Sequence, residues 1–407
     1  MSTRPSPDTD VALQGSVRAV YLVFIGAGLG FASWASRIPQ VREDLGLTPA
    51  SLGLVLLAIA AGSLIALPSG GLIVHRLGAA RTVLAMSVLF ALGMATAAVG
   101  VLIGVAPVVV GLLLLGFGNG VWDVAMNVEG AAVEQRLGRS IMSRFHAGFS
   151  IGTVIGALIG VGMNALHVPV TAHLLLIAAV IALAMPLSTR GFLPAGVVHD
   201  EGGESKAHPL AAWTEPRTLL IGLFVLTMAF AEGTANDWLG IATIDGYGAD
   251  AALGSLALGL FLAAMTIGRW FGPQVLDRYG RVLVLRASAA LAIIGLVVVV
   301  FGPNLVTAFI GTVLWGLGTA LGFPVGMSAA ADDPRYSAGR VSVVATIGYV
   351  AFLAGPPLIG LLGEQSGVLR ALSVTAGLLA VGFLVAGATR PEEPSSPRGN
   401  EGAAALR

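Results

Sequence analysis

The sequence predicts an all-α integral membrane protein in which twelve transmembrane helices form two pseudo-symmetric six-helix bundles. One reason is composition: of 407 residues, 56% are hydrophobic and 11% are charged, whereas soluble proteins carry roughly 25% charged residues. Another is length, because about twelve apolar stretches each reach the ~20 residues that a helix needs to cross a membrane. The third is an internal repeat, in which Gly116-Phe-Gly118 recurs as Gly316-Leu-Gly318. A long repeat of helices is typical of transporters built from two related bundles.

The apolar stretches are expected to be helices, because an open sheet edge would leave backbone groups without hydrogen bonds in lipid. Glycine repeats every fourth residue through the fifth stretch, at Gly148, Gly152, Gly156 and Gly160, which predicts a close helix-packing face. The predicted spans are residues 17–36, 51–73, 82–102, 105–128, 141–163, 170–188, 218–241, 252–275, 282–301, 304–329, 338–361 and 367–388.

Hydropathy divides the chain into five segments. The linker between the bundles is polar, and the C-terminal tail is rich in Pro, Glu and Ser and is expected to be disordered. A cleaved signal peptide is the alternative for the first span, but its removal would break the six-plus-six pairing. The segments are an N-terminal tail 1–16, an N-terminal bundle 17–188, a linker 189–217, a C-terminal bundle 218–388 and a tail 389–407.

The basic residues predict the orientation in the membrane. With both termini in the cytoplasm, 18 of the 22 Arg and Lys residues lie on the cytoplasmic side, three lie outside (Arg37, Arg42 and Arg370), and Arg269 lies within a span. The opposite orientation would violate the positive-inside rule. We therefore expect a multi-pass protein of the bacterial cytoplasmic membrane with cytoplasmic termini.

Two loops at matched positions of the halves combine glycines with basic residues. Glycine allows a tight turn, and Arg side chains can cap helix C-termini and pair with acids on neighbouring helices. Such a loop can latch two helix ends together; the alternative is a basic loop that only sets topology. The loops read Gly71-Leu-Ile-Val-His75-Arg76-Leu-Gly78-Ala-Ala-Arg81 and Gly272-Pro-Gln-Val-Leu-Asp277-Arg278-Tyr-Gly280-Arg281. Their candidate gating residues are His75, Arg76, Arg81, Asp277, Arg278 and Arg281.

These loops and the twelve-span arrangement resemble the major facilitator superfamily, whose signature at this place is Gly-x-x-x-Asp-Arg-x-Gly-Arg. Pro273 holds a glycine position of the second loop, and His75 replaces the Asp of the first. The resemblance implies the major facilitator fold over nearly the whole chain, with an N-terminal latch that is weaker or sensitive to pH.

Span 4 resembles the fucose/galactose/glucose proton-symporter branch of that superfamily, which carries Gly-x-Gly-x-Gly-x-x-acid-x-x-x-Asn. By this resemblance Asp123 lines the central cavity and takes part in proton coupling. His146 follows Phe145 where the branch has Phe-Asn, whereas Ser36-Arg37 stand where the branch has a second membrane acid. Span 7 is closer to a bacterial offshoot with Ala-Glu-Gly-x-x-x-Asp-Trp. The two segments read Gly116-Phe-Gly118-Asn119-Gly120-Val-Trp122-Asp123-Val-Ala-Met-Asn127 and Ala231-Glu-Gly-Thr-Ala-Asn-Asp-Trp238.

Asp123 is the principal candidate for proton transfer. Ionisable groups near the membrane centre cost at least about 2.5–3.5 kcal/mol, so they indicate a partner or a water-filled cavity. Asn119 and Asn127 lie one turn before and after it, on the same helix face. Withdrawal from water favours the protonated carboxyl, as a reversible proton carrier requires. The alternative is a structural acid hydrogen-bonded between helices. Trp122 beside it is a further candidate.

Span 7 supplies the second group of candidates. Glu232 and Asn236 share a helix face and are assigned to substrate binding or proton transfer. Asp237 lies nearer the outer end, as an external gate paired with Arg37. Arg269 in span 8 either binds an anionic group of the substrate or neutralises Glu232 or Asp123.

Three further residues are candidates at the predicted cytoplasmic side. His146 opens span 5 and can titrate near neutral pH, although a structural role is the alternative. Glu129 and Arg144 flank the loop between spans 4 and 5 and are expected to pair as a cytoplasmic gate.

The sequence predicts a secondary active transporter that moves a small polar, sugar-like solute together with protons by alternating access. Proton-coupled efflux of a drug or metabolite is the alternative, and a non-transporting receptor on this scaffold is a remote one. No nucleotide-binding loop or hydrolase motif is present, so an enzyme is not expected. No cofactor or metal is predicted, and the absence of Cys excludes thiolate sites. The expected partners are solute, proton and lipid; zero net charge argues against nucleic acid, and we expect a monomer.

Overall fold

A computed structural model describes residues 7–138, 141–193, 211–333 and 336–391, and these form helices joined by short turns. No strand occurs among them, which confirms the all-α fold class. Most of the linker and the C-terminal tail lies outside the described residues. The helices are α1 (Pro7–Ala35), α2 (Ile38–Asp44), α3 (Pro49–Leu77), α4 (Ala79–Gly100), α5 (Val105–Leu137), α6 (Met142–Ala165), α7 (Val170–Ser188), α8 (Pro216–Tyr247), α9 (Ala251–Tyr279), α10 (Arg281–Phe301), α11 (Leu305–Thr319), α12 (Gly322–Ala330), α13 (Ser337–Ser366), α14 (Val368–Ala371) and α15 (Ser373–Val385).

Twelve segments of the described residues are long and apolar enough to cross a membrane, which confirms the predicted number of spans. Six of them precede the linker and six follow it. Two predicted spans are each divided between two helices: α11 and α12 form the tenth, and α14 and α15 form the twelfth.

The division of the tenth span has a physical cause in the sequence. Pro324 lacks the N–H that would donate to the carbonyl of Ala320, four residues earlier, so a regular helix is interrupted there. The Ala320 carbonyl accepts a hydrogen bond from Arg269 Nε of α9, at 3.3 Å. The interruption therefore gives a membrane arginine a backbone partner.

The internal repeat is visible in the turns of the two halves. Gly78 follows α3 with φ 77° and ψ 159°, and Gly280 follows α9 with φ 78° and ψ 156°. A positive φ of this kind favours glycine, which has no Cβ. Thr48 and Asp250 cap the N-termini of the same two helices, and each side chain accepts a hydrogen bond from the backbone N–H three residues later.

Glycines bring neighbouring helices into close contact inside the N-terminal half. A Cβ at Gly152 of α6 would overlap the carbonyl oxygen of Ile25 in α1, and one at Gly156 would overlap that of Leu29. The predicted packing face of the fifth span is therefore the face that contacts α1. The two halves meet where α3 packs against α13 and α6 packs against α9.

Candidate functional site between the two halves

A cavity of ≈ 280 Å³ lies between the two halves. Its wall is built by α1, α3 and α5 of the N-terminal half and by α8 and α13 of the C-terminal half. Most of this wall is apolar and includes Phe31, Trp34 and Phe352. Its polar side chains are Ser63, Asn119, Asn236, Asp237, Thr346 and Tyr349.

Three predicted residues, Asn119, Asn236 and Asp237, thus line one cavity. Asn236 is 8% exposed, and its Oδ1 has no hydrogen-bond partner among the described residues. Trp34 is 2% exposed, and its Nε1 likewise has no such partner. A buried polar atom without a partner costs about 1–3 kcal/mol. The cavity wall therefore holds hydrogen-bonding groups that the described part of the protein does not satisfy.

Asp237 was predicted as an external gate residue, and the structure places it in the cavity wall instead. No ion pair or hydrogen bond joins its carboxylate to another described residue, and the residue is partly exposed. Asp237 is therefore a carboxylate of the cavity wall without a described counter-ion.

Asp123 lies one helical turn beyond Asn119 on α5. Asn127 Nδ2 donates to the Asp123 backbone carbonyl at 2.8 Å and to its Oδ1 at 3.3 Å. Asp123 also interacts electrostatically with Tyr349 of the opposite half, which lines the cavity. Of the polar stripe predicted on span 4, Asn119 lines the cavity, whereas Asp123 and Asn127 are not among the wall residues. No described basic side chain pairs with Asp123.

Glu232 is held by an ion pair inside the C-terminal half. Arg269 Nη2 lies 3.1 Å from both carboxylate oxygens of Glu232, and the two side chains are 27% and 18% exposed. The guanidinium of Arg269 therefore has two partners: Nη2 pairs with Glu232, and Nε donates to the Ala320 carbonyl. Arg269 was predicted either to bind an anionic group of the substrate or to neutralise an acid. The observed ion pair with Glu232 corresponds to the second role.

His146 faces the same region from the N-terminal half. Its ring is exposed, lies 5.2 Å from the Phe24 ring in an edge-to-face arrangement, and interacts electrostatically with Arg269 across the two halves. His146 and Arg269 therefore approach one another between the halves, although neither lines the cavity.

Trp122 was predicted as a substrate-binding or proton-binding residue, but it does not line the cavity. Its side chain is completely buried, and its ring packs edge-to-face against Phe90 of α4 at 5.7 Å between centroids. Successive helical residues differ in direction by about 100°, so Trp122 and Asp123 face different neighbours. Trp122 is a packing residue of the N-terminal half.

Arg37 is bound by residues other than the predicted Asp237. Its Nε donates to His173 Nδ1 at 2.9 Å, its Nη2 donates to the Val168 carbonyl at 2.9 Å, and its Nη1 donates to Asn164 Oδ1. Arg37 is 2% exposed, so these bonds compensate a buried guanidinium. Expecting a carboxylate partner was the error, because neutral acceptors on α6 and α7 and the turn between them occupy this position.

Asn164 extends this cluster across the two halves and was not identified from the sequence. Its Nδ2 donates to Ser255 Oγ at 2.6 Å, and Ser255 Oγ donates to the Ser36 carbonyl at 3.0 Å. A buried histidine in an apolar span, His173, was a readable signal for the cluster, since ionisable groups in a span require partners.

The halves are joined at the predicted external end. Arg42 Nη1 lies 2.5 Å from Asp245 Oδ2, and the Ala50 N–H donates to Glu364 Oε2 at 3.2 Å. The bonds of Asn164 and Ser255 cross from one half to the other at this same end. The structure is thus closed on the predicted external side.

The two repeated loops differ in their contacts. Arg281 and Arg217 both bind the carboxylate of Asp332, each at 2.9 Å, which ties the starts of α10 and α8 to the chain after α12. The remaining predicted loop residues are exposed, and no ion pair or hydrogen bond links their side chains to other described residues. These are His75, Arg76, Arg81, Asp277 and Arg278.

The predicted pair of Glu129 and Arg144 is not formed. Glu129 is buried and accepts a hydrogen bond from the Leu193 N–H at 2.7 Å, whereas Arg144 is exposed. The backbone after α7 passes close to the C-terminal part of α5, where the Leu193 N–H reaches the Glu129 carboxylate. Glu129 therefore fixes the segment that follows α7 to α5, within the N-terminal half.

Comparison with known proteins agrees with this architecture. The sequence model of one protein family, the Major Facilitator Superfamily, matches this chain over residues 20–348 and 238–407. The chain belongs to the major facilitator superfamily. It is 33% identical over 372 residues to the uncharacterised transporter y4wD of Sinorhizobium fredii, covering 89% of this chain and 95% of that protein. This membership makes it a multi-pass membrane protein of a transporter family, as the sequence predicted.

Solved major facilitator structures share its fold. The nucleoside transporter NupG superimposes with a TM-score of 0.74 at 16% identity, covering 92% of this chain and 98% of NupG. The fucose:proton symporter of E. coli superimposes with a TM-score of 0.63 at 17% identity, covering 92% and 98%. At these identities the similarity is one of fold.

Proposed function

We propose that this major facilitator protein is a secondary active transporter that carries a small polar solute by alternating access, in symport with protons. The observation that carries the proposal is the cavity between the halves, whose wall contains Asp237 and the unsatisfied atoms of Trp34 and Asn236. At ≈ 280 Å³ it lies near the lower end of the roughly 300–1,000 Å³ common for ligand pockets. A solute of monosaccharide size suits it better than a large drug.

Alternating access requires that the two halves separate at one end while they join at the other. The bonds from Arg42 to Asp245 and from Asn164 to Ser255 form a set that can dissociate at the predicted external end. We infer that the structure is the inward-facing state and that these contacts break when the protein turns outward.

Asp123 is our choice for the proton carrier. Glu232 is already engaged in an ion pair with Arg269, whereas a proton carrier must exchange its proton with the cavity. Asp123 has an amide partner instead of a cation and interacts electrostatically with a cavity residue of the other half, Tyr349. Proton binding at Asp123 can therefore be coupled to solute binding in the cavity.

Reconstituted liposomes test this assignment. We expect Asp123→Asn to retain exchange of labelled solute across the membrane but to lose accumulation driven by an imposed proton gradient. Asp250→Asn is the matched control, because Asn caps a helix N-terminus as well as Asp does and Asp250 lies outside the cavity. Full accumulation by Asp123→Asn together with its loss in Glu232→Gln would move proton coupling to α8.

The apolar lining of the cavity favours a second candidate, proton-coupled efflux of a small hydrophobic compound. Phe31, Leu56, Ile59 and Leu115 are among the wall residues that would contact such a compound. In an antiporter, solute added outside enters in exchange for protons and acidifies the external medium, whereas symport makes it more alkaline. The direction of the pH change separates the two.

A further inference from the structure

The charge of the cavity wall identifies a class of solute. Among the described wall residues Asp237 is the one carboxylate, and none is Arg, Lys or His. The nearby basic groups are engaged elsewhere: Arg269 pairs with Glu232, and Arg37 binds His173, Asn164 and the backbone. When Asp237 is ionised, the wall therefore carries one negative charge.

We propose that the solute is a small hydroxylated monocation whose ammonium group is the counter-ion of Asp237. A carboxylate in a largely apolar cavity wall is costly unless it is paired, and the described residues give it no cation. This inference rests on the proposed function and specifies the solute that it carries.

The aromatic residues of the wall are suited to the same ligand. Phe31, Trp34, Tyr349 and Phe352 contribute rings from both halves, and an ammonium group is attracted to the face of an aromatic ring. An anionic solute would be repelled by Asp237 and would find no basic side chain among the described wall residues. A neutral polyol would use the amides but leave the carboxylate unpaired.

The wall also contains partners for hydroxyl groups. Asn119 and Asn236 offer amides from the two halves, and Ser63 and Thr346 offer hydroxyls. Because each half supplies hydrogen-bonding groups, one solute can contact both. A solute with several hydroxyl groups and one ammonium group can pair with these amides and hydroxyls and with Asp237.

The division of roles between the two acids follows. If Asp237 holds an ammonium group, it stays ionised during transport, and the coupled proton is carried elsewhere, at Asp123. Replacing Asp237 should then weaken solute binding, whereas replacing Asp123 should uncouple transport from the proton gradient. The two carboxylates have distinguishable phenotypes.

Three sugars that share one ring test the charge requirement: glucosamine, glucose and glucuronate. Binding is measured as the shift of the thermal midpoint of the purified full-length protein in detergent, titrated with each sugar at neutral pH. We expect glucosamine to bind at least about tenfold more tightly than glucose, as one charge-assisted hydrogen bond provides, and glucuronate to give no shift. Asp237→Asn should abolish the preference for glucosamine, while Asp250→Asn should preserve it.

The proposal is overturned if glucose binds as tightly as glucosamine, if none of the three sugars binds, or if Asp237→Asn keeps the full preference. The comparison of sugars on the unaltered protein is decisive even when Asp237→Asn does not fold. A solute-dependent pH signal from a neutral compound in vesicles would overturn the cationic class while supporting proton-coupled transport. Absence of transport for every solute class would instead count against the proposed function itself.

Discussion

At the scale of residues, three acids in or near the cavity are in three different electrostatic situations. Glu232 is paired with a cation, Asp123 is bonded to an amide, and Asp237 has no partner among the described residues. A carboxylate in an ion pair already has its counter-ion, whereas one without a cation is open to a proton or a cationic ligand. The different surroundings are therefore the basis for assigning different roles to these acids.

We predict that Glu232→Gln destabilises the protein by about 1–3 kcal/mol, because it leaves the partly buried guanidinium of Arg269 without its anionic partner. The measurement is the thermal midpoint in detergent. The double variant Glu232→Gln with Arg269→Gln should recover part of the loss, since it removes both charges. A single variant as stable as the unaltered protein would show that the ion pair contributes nothing.

At the scale of helices, glycine contacts set the distance between α1 and α6. The overlap that a Cβ at Gly152 would make is with the backbone of Ile25, which cannot move without shifting a helix. Gly162 on the same helix has open space where its Cβ would be. The helix thus offers both a close-packed and an unpacked glycine.

We predict that Gly152→Leu lowers the stability by at least about 1–3 kcal/mol, the usual cost of overpacking, and reduces the yield of folded protein. Gly162→Leu should leave both nearly unchanged. Size-exclusion profiles and thermal midpoints of the two variants provide the comparison. Equal behaviour of the two variants would contradict the close contact between α1 and α6.

The helices could be predicted from the sequence because hydropathy and glycine spacing are local properties. The same holds for the repeated turns at Gly78 and Gly280, where a positive φ requires glycine. The interruption in the tenth span was missed although Pro324 was readable, because hydropathy alone runs through it.

Side-chain partners were harder to predict, since they depend on how distant helices pack. Arg37 binds His173 and Asn164, 136 and 127 positions away, instead of the expected acid. In contrast, the ion pair of Arg269 with Glu232 was among the alternatives foreseen, because charges within spans are few and must find partners.

At the scale of the whole molecule, the contacts between the halves are asymmetric. The described polar bonds that join them lie at the predicted external end, while the cavity lies between them and Asp237 and Asn119 reach it from opposite halves. This arrangement is what an alternating-access transporter requires in its inward-facing state.

We predict that tying Arg42 to Asp245 arrests transport, because the outward-facing state requires these residues to separate. The chain contains no Cys, so Arg42→Cys with Asp245→Cys can be linked by a short bifunctional thiol reagent. Transport should stop on linking and return when a cleavable link is reduced. Each single variant treated in the same way is the control, and undiminished transport by the linked protein would refute the gate.

The most direct test of proton-coupled transport is the external pH of weakly buffered, right-side-out vesicles when hydroxylated amines, sugars, sugar acids and drugs are added in turn. We predict that one solute class makes the medium more alkaline in vesicles containing the protein and not in vesicles without it. Asp123→Asn should abolish the signal, and Asp250→Asn should keep it. Acidification, or no change with any solute, would contradict proton symport.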